Sequence, residues 1–140
     1  MSSARIDSEL GEGGAYVDTS AFVKLVLDEP ESAAMEKVFN RTTLTSSALL
    51  VTELLRAVRR DFPERADHAI ALLDHIDTMP VNPDVLMVAG FIGSPGLRSL
   101  DAVHLVTAAT LYPQVTPLIT YDRRLTAVAK ALGLEVASPR

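Results

Sequence analysis

The sequence predicts an α/β fold, a three-layer α/β/α sandwich with a central parallel sheet, and three observations carry that expectation. Short apolar runs alternate with segments of helical periodicity, Gly and Pro mark most junctions, and the 140-residue chain has neither an internal repeat nor a linker that would divide it. The apolar runs are continuous, as expected of strands covered on both faces, and each parallel pair then needs a crossover helix.

Ala15-Tyr16-Val17 reads as a buried strand closed by Asp18-Thr19-Ser20, after which Ala21, Phe22, Leu25 and Val26 recur at helical spacing. Pro30 ends that helix, because it lacks a donor and restrains the residue before it. A second helix carries Ala33, Ala34 and Val38. Thr42 to Thr45 is expected as the second strand, with Ser46 and Ser47 as N-cap candidates for a long helix reaching about Arg60. Phe62-Pro63-Glu64 opens a further helix whose apolar face is Ala69, Leu72, Leu73 and Ile76. Met79 to Val81 is expected as the third strand. Pro83 starts a helix through Val85, Val88 and Ala89, Gly93-Ser94-Pro95-Gly96 forms a loop, and Ser99 is expected to cap a helix from Leu100 to Leu111. Pro117 to Thr120 reads as the fourth strand, Arg123 to Leu132 as a helix stopped by Gly133, and Leu134 to Ala137 as the last strand. Residues 1–14 read as a flexible polar tail and residues 15–140 as the folded domain.

Composition excludes several classes. With 48% hydrophobic residues the chain can bury a core, and with no Cys it has no disulfide framework, thiolate zinc site or cysteine nucleophile, which suits a cytoplasmic protein. No apolar run approaches the ~20 residues a bilayer demands, so no membrane span is expected. The N-terminus lacks the apolar core of a secretory signal. A formal net charge of −5 weighs against nucleic-acid binding, which usually shows a basic footprint.

In open parallel sheets, ligands bind beyond the carboxyl ends of the strands, where loops and helix N-termini converge. Asp18 follows the first strand and Asp122 the fourth, while Asp101 falls in the first turn of the helix preceding that fourth strand. Glu53 lies between Leu49 and Ala57, on the border of the apolar face of the helix after the second strand. Singly, each has another explanation: the aspartates suit helix starts, and Glu53 suits a surface pair with Arg56 or Arg60. Together, four converging acids without four matching bases would repel one another, so their coexistence implies a cation between them. Oxygen donors without Cys or paired His suit magnesium or manganese rather than zinc. One or two such ions could hold a scissile phosphate and lower the pKa of a water, giving phosphodiester hydrolysis without a covalent intermediate. His104, one turn after Asp101, reads as a hydrogen-bonded packing residue rather than a base or ligand.

The four acids account for four of the five excess negative charges, which weakens the charge objection. Arg98, Arg123 and Arg124 flank two of the acids in sequence and are the candidate substrate-binding residues, placed to steer phosphates. Arg56, Arg59 and Arg60 crowd the end of one helix, where a solvated face or the helix dipole explains Arg59 and Arg60 equally well.

Tyr16-Val17-Asp18-Thr19-Ser20-Ala21, Val51-Thr52-Glu53-Leu54, Leu100-Asp101-Ala102-Val103-His104-Leu105 and Thr120-Tyr121-Asp122-Arg123-Arg124-Leu125, in that order, resemble the PIN-domain nucleases. The spacing and the closing Gly133-Leu134-Glu135-Val136 resemble the VapC-type toxins of type II toxin–antitoxin systems. The resemblance implies that Asp18, Glu53, Asp101 and Asp122 are an acidic metal-binding quartet for Mg2+ or Mn2+, and that Ser20 or Thr120 adds a hydroxyl to the metal shell. It further implies an endoribonuclease acting on structured RNA such as tRNA or rRNA, a VapB-type antitoxin as partner, and a homodimer. Two other readings compete. A magnesium-binding phosphoacceptor receiver module would need an acidic pair after the first strand and a Lys after a later one, and this chain offers neither. A catalytically inactive PIN-like binding protein would have no need to tolerate four clustered acids.

Overall fold

The computed structural model describes residues 10–140. Strand β1 (Ala15–Val17) leads into α1 (Thr19–Val26) and α2 (Ser32–Arg41); β2 (Leu44–Ser47) is followed by α3 (Leu49–Asp61), a 3-10 turn (Pro63–Arg65) and α4 (Ala66–Leu73). Then come β3 (Asp77–Met79), α5 (Pro83–Ala89), α6 (Ser99–Leu111), β4 (Leu118–Ile119), α7 (Arg123–Ala131) and β5 (Val136–Ala137). The five strands form one parallel sheet in the order β3-β2-β1-β4-β5, with Tyr16 opposite both Thr45 and Leu118.

Strand pleating sorts the core into two layers, since successive side chains point to opposite faces. Ala15, Val17, Ile119 and Ala137 join Phe22, Leu25, Met35, Leu50, Leu54 and Val58 on the face covered by α1, α2, α3 and α4. Tyr16 and Leu118 join Leu105, Ala108, Leu125 and Ala129 on the opposite face, covered by α6 and α7. The three-layer sandwich expected from the sequence is therefore the architecture observed. No helix among the described residues is long and apolar enough to cross a membrane.

Several boundaries move from their expected places. The second strand runs on through Ser46 and Ser47, because Ser46 Oγ donates to the Val17 carbonyl at 2.6 Å and so spends its hydroxyl inside the sheet. Ser47 still accepts the Leu49 N–H at 3.1 Å, a local cap, although α3 starts without a side-chain bond from its N-cap residue Ala48. The third strand is Asp77–Met79, not Met79 to Val81, since its register pairs Ser47 with Met79. Ser99 is the first helical residue of α6; Arg98 holds the cap position without a capping bond. Of residues 1–14, expected as a flexible tail, residues 10–14 are described, and they are tied to the folded domain. Gly11 and Gly13 donate to the Thr116 and Gln114 carbonyls at 2.9 and 2.8 Å, and Leu10 packs on the larger core layer. Residues 1–9 lie outside the described residues. Gly14 enters β1 with φ of 90°, and a Cβ there would run into the Thr43 carbonyl, so this turn requires glycine.

The strand order reverses direction at β1, which puts the crevice between the carboxyl ends of β1 and β4 at a topological switch point. Both edge strands are short, and prolines follow them: Pro80 directly after β3 and Pro139 two residues beyond β5.

Candidate active site at the sheet switch point

Asp18 closes β1 and caps α1. Its Oδ1 accepts the Ala21 N–H at 3.0 Å and the Ser20 hydroxyl at 2.7 Å, while Oδ2 accepts the Thr120 hydroxyl at 2.6 Å. At 4% exposure this carboxylate sits below the rim rather than on it. Burial pushes its pKa above the ordinary range, and the Thr120 and Ser20 hydroxyls oppose that shift by favouring the charged form. Ser20 and Thr120, the two candidate hydroxyls, thus both fasten Asp18, and they lie 3.2 Å from each other.

The Thr120 hydroxyl also accepts the Asp122 N–H at 3.1 Å, so one side chain ties the ends of β1 and β4 together. Asp122 caps α7 by accepting the Leu125 N–H through Oδ1 at 2.9 Å, which leaves Oδ2 to the Arg98 guanidinium at 3.1 Å. The same guanidinium donates to Asp101 Oδ2 at 2.9 Å, bridging two acids 21 residues apart in sequence. Both bonds hold the Arg98 charge above its ordinary range, the Asp101 bond most strongly.

Glu53 reaches the rim from α3. Its Oε1 accepts from both the Thr19 hydroxyl at 2.8 Å and His104 Nε2 at 2.7 Å, and among the described residues no protein donor reaches Oε2. Burial alone would raise its pKa; the His104 hydrogen bond and charge, with the Thr19 hydroxyl, outweigh it and hold the group below the ordinary carboxylate value. His104 is itself buried, with Nδ1 2.8 Å from the Tyr16 hydroxyl, which in turn accepts the Ser47 N–H at 3.1 Å. An ionised Glu53 can only accept, so a neutral imidazole must carry its proton on Nε2 and take the Tyr16 proton on Nδ1.

Among the described residues, hydrogen bonds and ion pairs link Asp18 through Thr120 to Asp122 and through Arg98 to Asp101, while Glu53 belongs to a second run with Thr19, His104 and Tyr16. Glu53 bonds to Thr19 and His104, not to Arg56 or Arg60 as the competing surface-pair reading would have it. His104 is the packing residue its position suggested. Arg98, a candidate phosphate contact, is engaged by two of the acids instead. Arg123 and Arg124 are exposed on the first turn of α7 beside Asp122. Thr19 and Tyr16 were not singled out from the sequence: the Tyr16 hydroxyl acts from within an apolar strand, and only the fold reveals that it faces His104.

Among the described residues, no three His, Cys, Asp or Glu side chains stand together in an arrangement that would hold one ion as they are placed. The donor chemistry nevertheless fits a hard divalent cation: carboxylate and hydroxyl oxygens, two of the carboxylates already sharing a cationic group. The Arg98 guanidinium balances the charges of Asp101 and Asp122.

The family model for the PIN domain matches residues 15–131 of this chain. The chain belongs to the PIN-domain family. Curated relatives of this PIN domain include ribonuclease VapC47 of Mycobacterium tuberculosis (strain CDC 1551 / Oshkosh), 38% identical over 135 residues, and ribonuclease VapC35 of Mycobacterium tuberculosis (strain ATCC 25618 / H37Rv), 40% identical over 129. Each alignment spans 89% of this chain and 96% of the relative. Among solved structures the PIN domain superposes on the sarcin-ricin loop cleaving toxin VapC20 of Mycobacterium tuberculosis, with a TM-score of 0.68 at 14% identity, covering 81% of this chain and 94% of that one. VapBC2 from Rickettsia felis, bound to a DNA fragment from its promoter, gives 0.62 at 14% identity, covering 90% and 98%. At such identity these two superpositions speak for the fold, a parallel α/β sandwich of the PIN kind. Membership in this family sets the receiver module aside.

Proposed function

We propose that this PIN domain is a metal-dependent endoribonuclease, using Mg2+ or Mn2+, and the toxin of a VapBC-type toxin–antitoxin pair. The observation that supports the proposal is the run of bonds from Asp18 through Thr120 to Asp122 and on through Arg98 to Asp101, two acids bridged by a cation of the protein's own. Relationship to the VapC ribonucleases supports the same activity.

Asp18, Glu53, Asp101 and Asp122 are the residues that would hold the ion, with Ser20 and Thr120 orienting Asp18. A bound magnesium or manganese ion would offset the phosphate charge and lower the pKa of the attacking water. Asp18 is held by three donors, so its carboxylate is fixed before anything binds. Glu53, kept ionised, offers its free Oε2 to accept a hydrogen bond from that water and aim it in line with the scissile bond. Water oxygen then bonds to phosphorus as the bond to the departing ribose oxygen breaks; the water gives up one proton to Glu53 Oε2, and the departing oxygen takes up a proton from solvent. Arg123 and Arg124 stand beside Asp122 as candidate phosphate contacts, whereas Arg98 is freed for this role only when it leaves the acids.

The substrate class proposed is structured RNA, tRNA or rRNA, in keeping with a structural neighbour that cleaves the sarcin-ricin loop. A VapB-type antitoxin is the proposed partner, by analogy with the Rickettsia felis complex. A homodimer is proposed as well, supported by an exposed apolar group of Leu86, Met87 and Phe91.

The purified protein is expected to cut end-labelled tRNA and rRNA in Mg2+ or Mn2+, to stop in EDTA, and to resume when either ion is restored. Absence of cleavage with both ions would refute the assignment. Arg98→Ala addresses the internal cation. In EDTA, thermal melts should show a loss of up to about 1 kcal/mol, since Arg98 is largely exposed. Calorimetric titration should show tighter Mg2+ binding, because the ion no longer competes with a guanidinium; weaker binding would contradict this account.

A further inference from the structure

A groove leaves the acidic rim along the outer surface of α3. Glu53 and Leu100 line its near end, and Arg56, Arg59 and Arg60 line the rest. The lining follows from helix periodicity: residues 49, 52, 53, 56 and 60 lie on one face, and Glu53 to Arg60 spans roughly 10 Å of axis. Three arginines on one groove are a local reversal of charge in a chain with net charge −5. They are not equivalent. Arg60 is committed to Asp61 through two bonds of 3.0 and 2.9 Å. Arg56 and Arg59 are exposed, and among the described residues no carboxylate pairs with either.

We propose that this groove is the path of the RNA strand as it leaves the catalytic rim, with Arg56 and Arg59 as phosphate contacts. This rests on the ribonuclease reading and adds to it a binding arm distinct from Arg123 and Arg124. The groove has two attributes of a strand path: it is continuous with the site through Glu53, and its unpaired charges have the sign a phosphodiester backbone requires. None of the lining residues is aromatic, so the arm has no stacking platform for bases and holds the strand by its backbone without selecting sequence. Sequence or shape selection is then left to surfaces nearer the scissile bond.

Steady-state cleavage of a 12-nucleotide labelled RNA in Mg2+ tests the arm. Arg56→Gln/Arg59→Gln keeps good helix formers at exposed positions, and its melting curve should match the wild type. The expected result is a KM raised on the order of tenfold with kcat little changed. The slope of log kcat/KM against log salt should flatten by about 1.4, at about 0.7 per single-strand phosphate contact. Hydrolysis of bis(p-nitrophenyl) phosphate, too small to reach the arm, should be unchanged. An unaltered KM and slope would overturn the proposal, as would the same changes arising from Arg123→Gln/Arg124→Gln and not from the α3 pair. A wild-type protein that cleaves no RNA refutes the nuclease reading instead. Fluorescence anisotropy of the same 12-mer then still decides the groove, since equal affinity in the wild type and the α3 variant would count against it.

Discussion

Asp101→Asn is expected to lower kcat/KM for RNA cleavage by a hundredfold or more, on the order of what removing one charge-stabilising group costs other enzymes. The substitution is the cleanest available because of where each acid sits. Asp18 and Asp122 cap α1 and α7, so changing either mixes catalysis with a helix start worth about 1 kcal/mol. Among the described residues Asp101 accepts no capping bond and its hydrogen-bond partner is the Arg98 guanidinium, for which asparagine keeps an oxygen. Melting temperature in EDTA should therefore shift little while activity collapses. Induced expression in cells should stop growth for the wild type and leave it unaffected for the variant. Cleavage within a few-fold of wild type by a folded Asp101→Asn protein would remove Asp101 from the catalytic set.

The largest effect on stability is expected at His104. The side chain is 1% exposed and joins Tyr16, also buried, to Glu53. His104→Ala opens a cavity and removes the ring nitrogen that takes the Tyr16 hydroxyl proton, leaving that hydroxyl the Ser47 N–H, and together these should cost about 2–4 kcal/mol. For a domain of this size that is a fall in melting temperature of roughly 10 °C. Tyr16→Phe removes a single hydroxyl and should cost about 1–2 kcal/mol. Activity separates positioning from mere packing. Glu53 loses one of its two Oε1 donors in His104→Ala, so cleavage measured well below the melting temperature should drop, while His104→Gln, able to donate from its amide, should recover part of it. Equal activity in all three proteins would show that the imidazole serves packing alone.

The three aspartates stood out because each follows a strand or lies in the first turn of a helix, positions that a parallel sheet carries toward its carboxyl edge. The role of Arg98 did not. Its placement before α6 suggests a solvent-facing phosphate contact, and only the approach of β4 to α6 brings Asp122 within its reach. Glu53 was legible as a border residue of α3, yet its partners come from α1 and α6, 34 and 51 positions away, which no periodicity within α3 encodes. Strand limits blurred for a related reason. Ser46 and Ser47 have the chemistry of helix caps, but hydrogen bonding to β1 and β3 draws them into the sheet.

The two outer strands bear on how this chain can associate. β3 and β5 are three and two residues long, and the proline after each withholds an amide hydrogen where a further strand would seek one. An extended segment arriving beside either border finds few donors to knit onto, so polymerisation by strand addition is disfavoured at both ends. Assembly with another copy or another polypeptide is left to the helical surfaces, where side-chain shape rather than backbone pairing governs which neighbours fit.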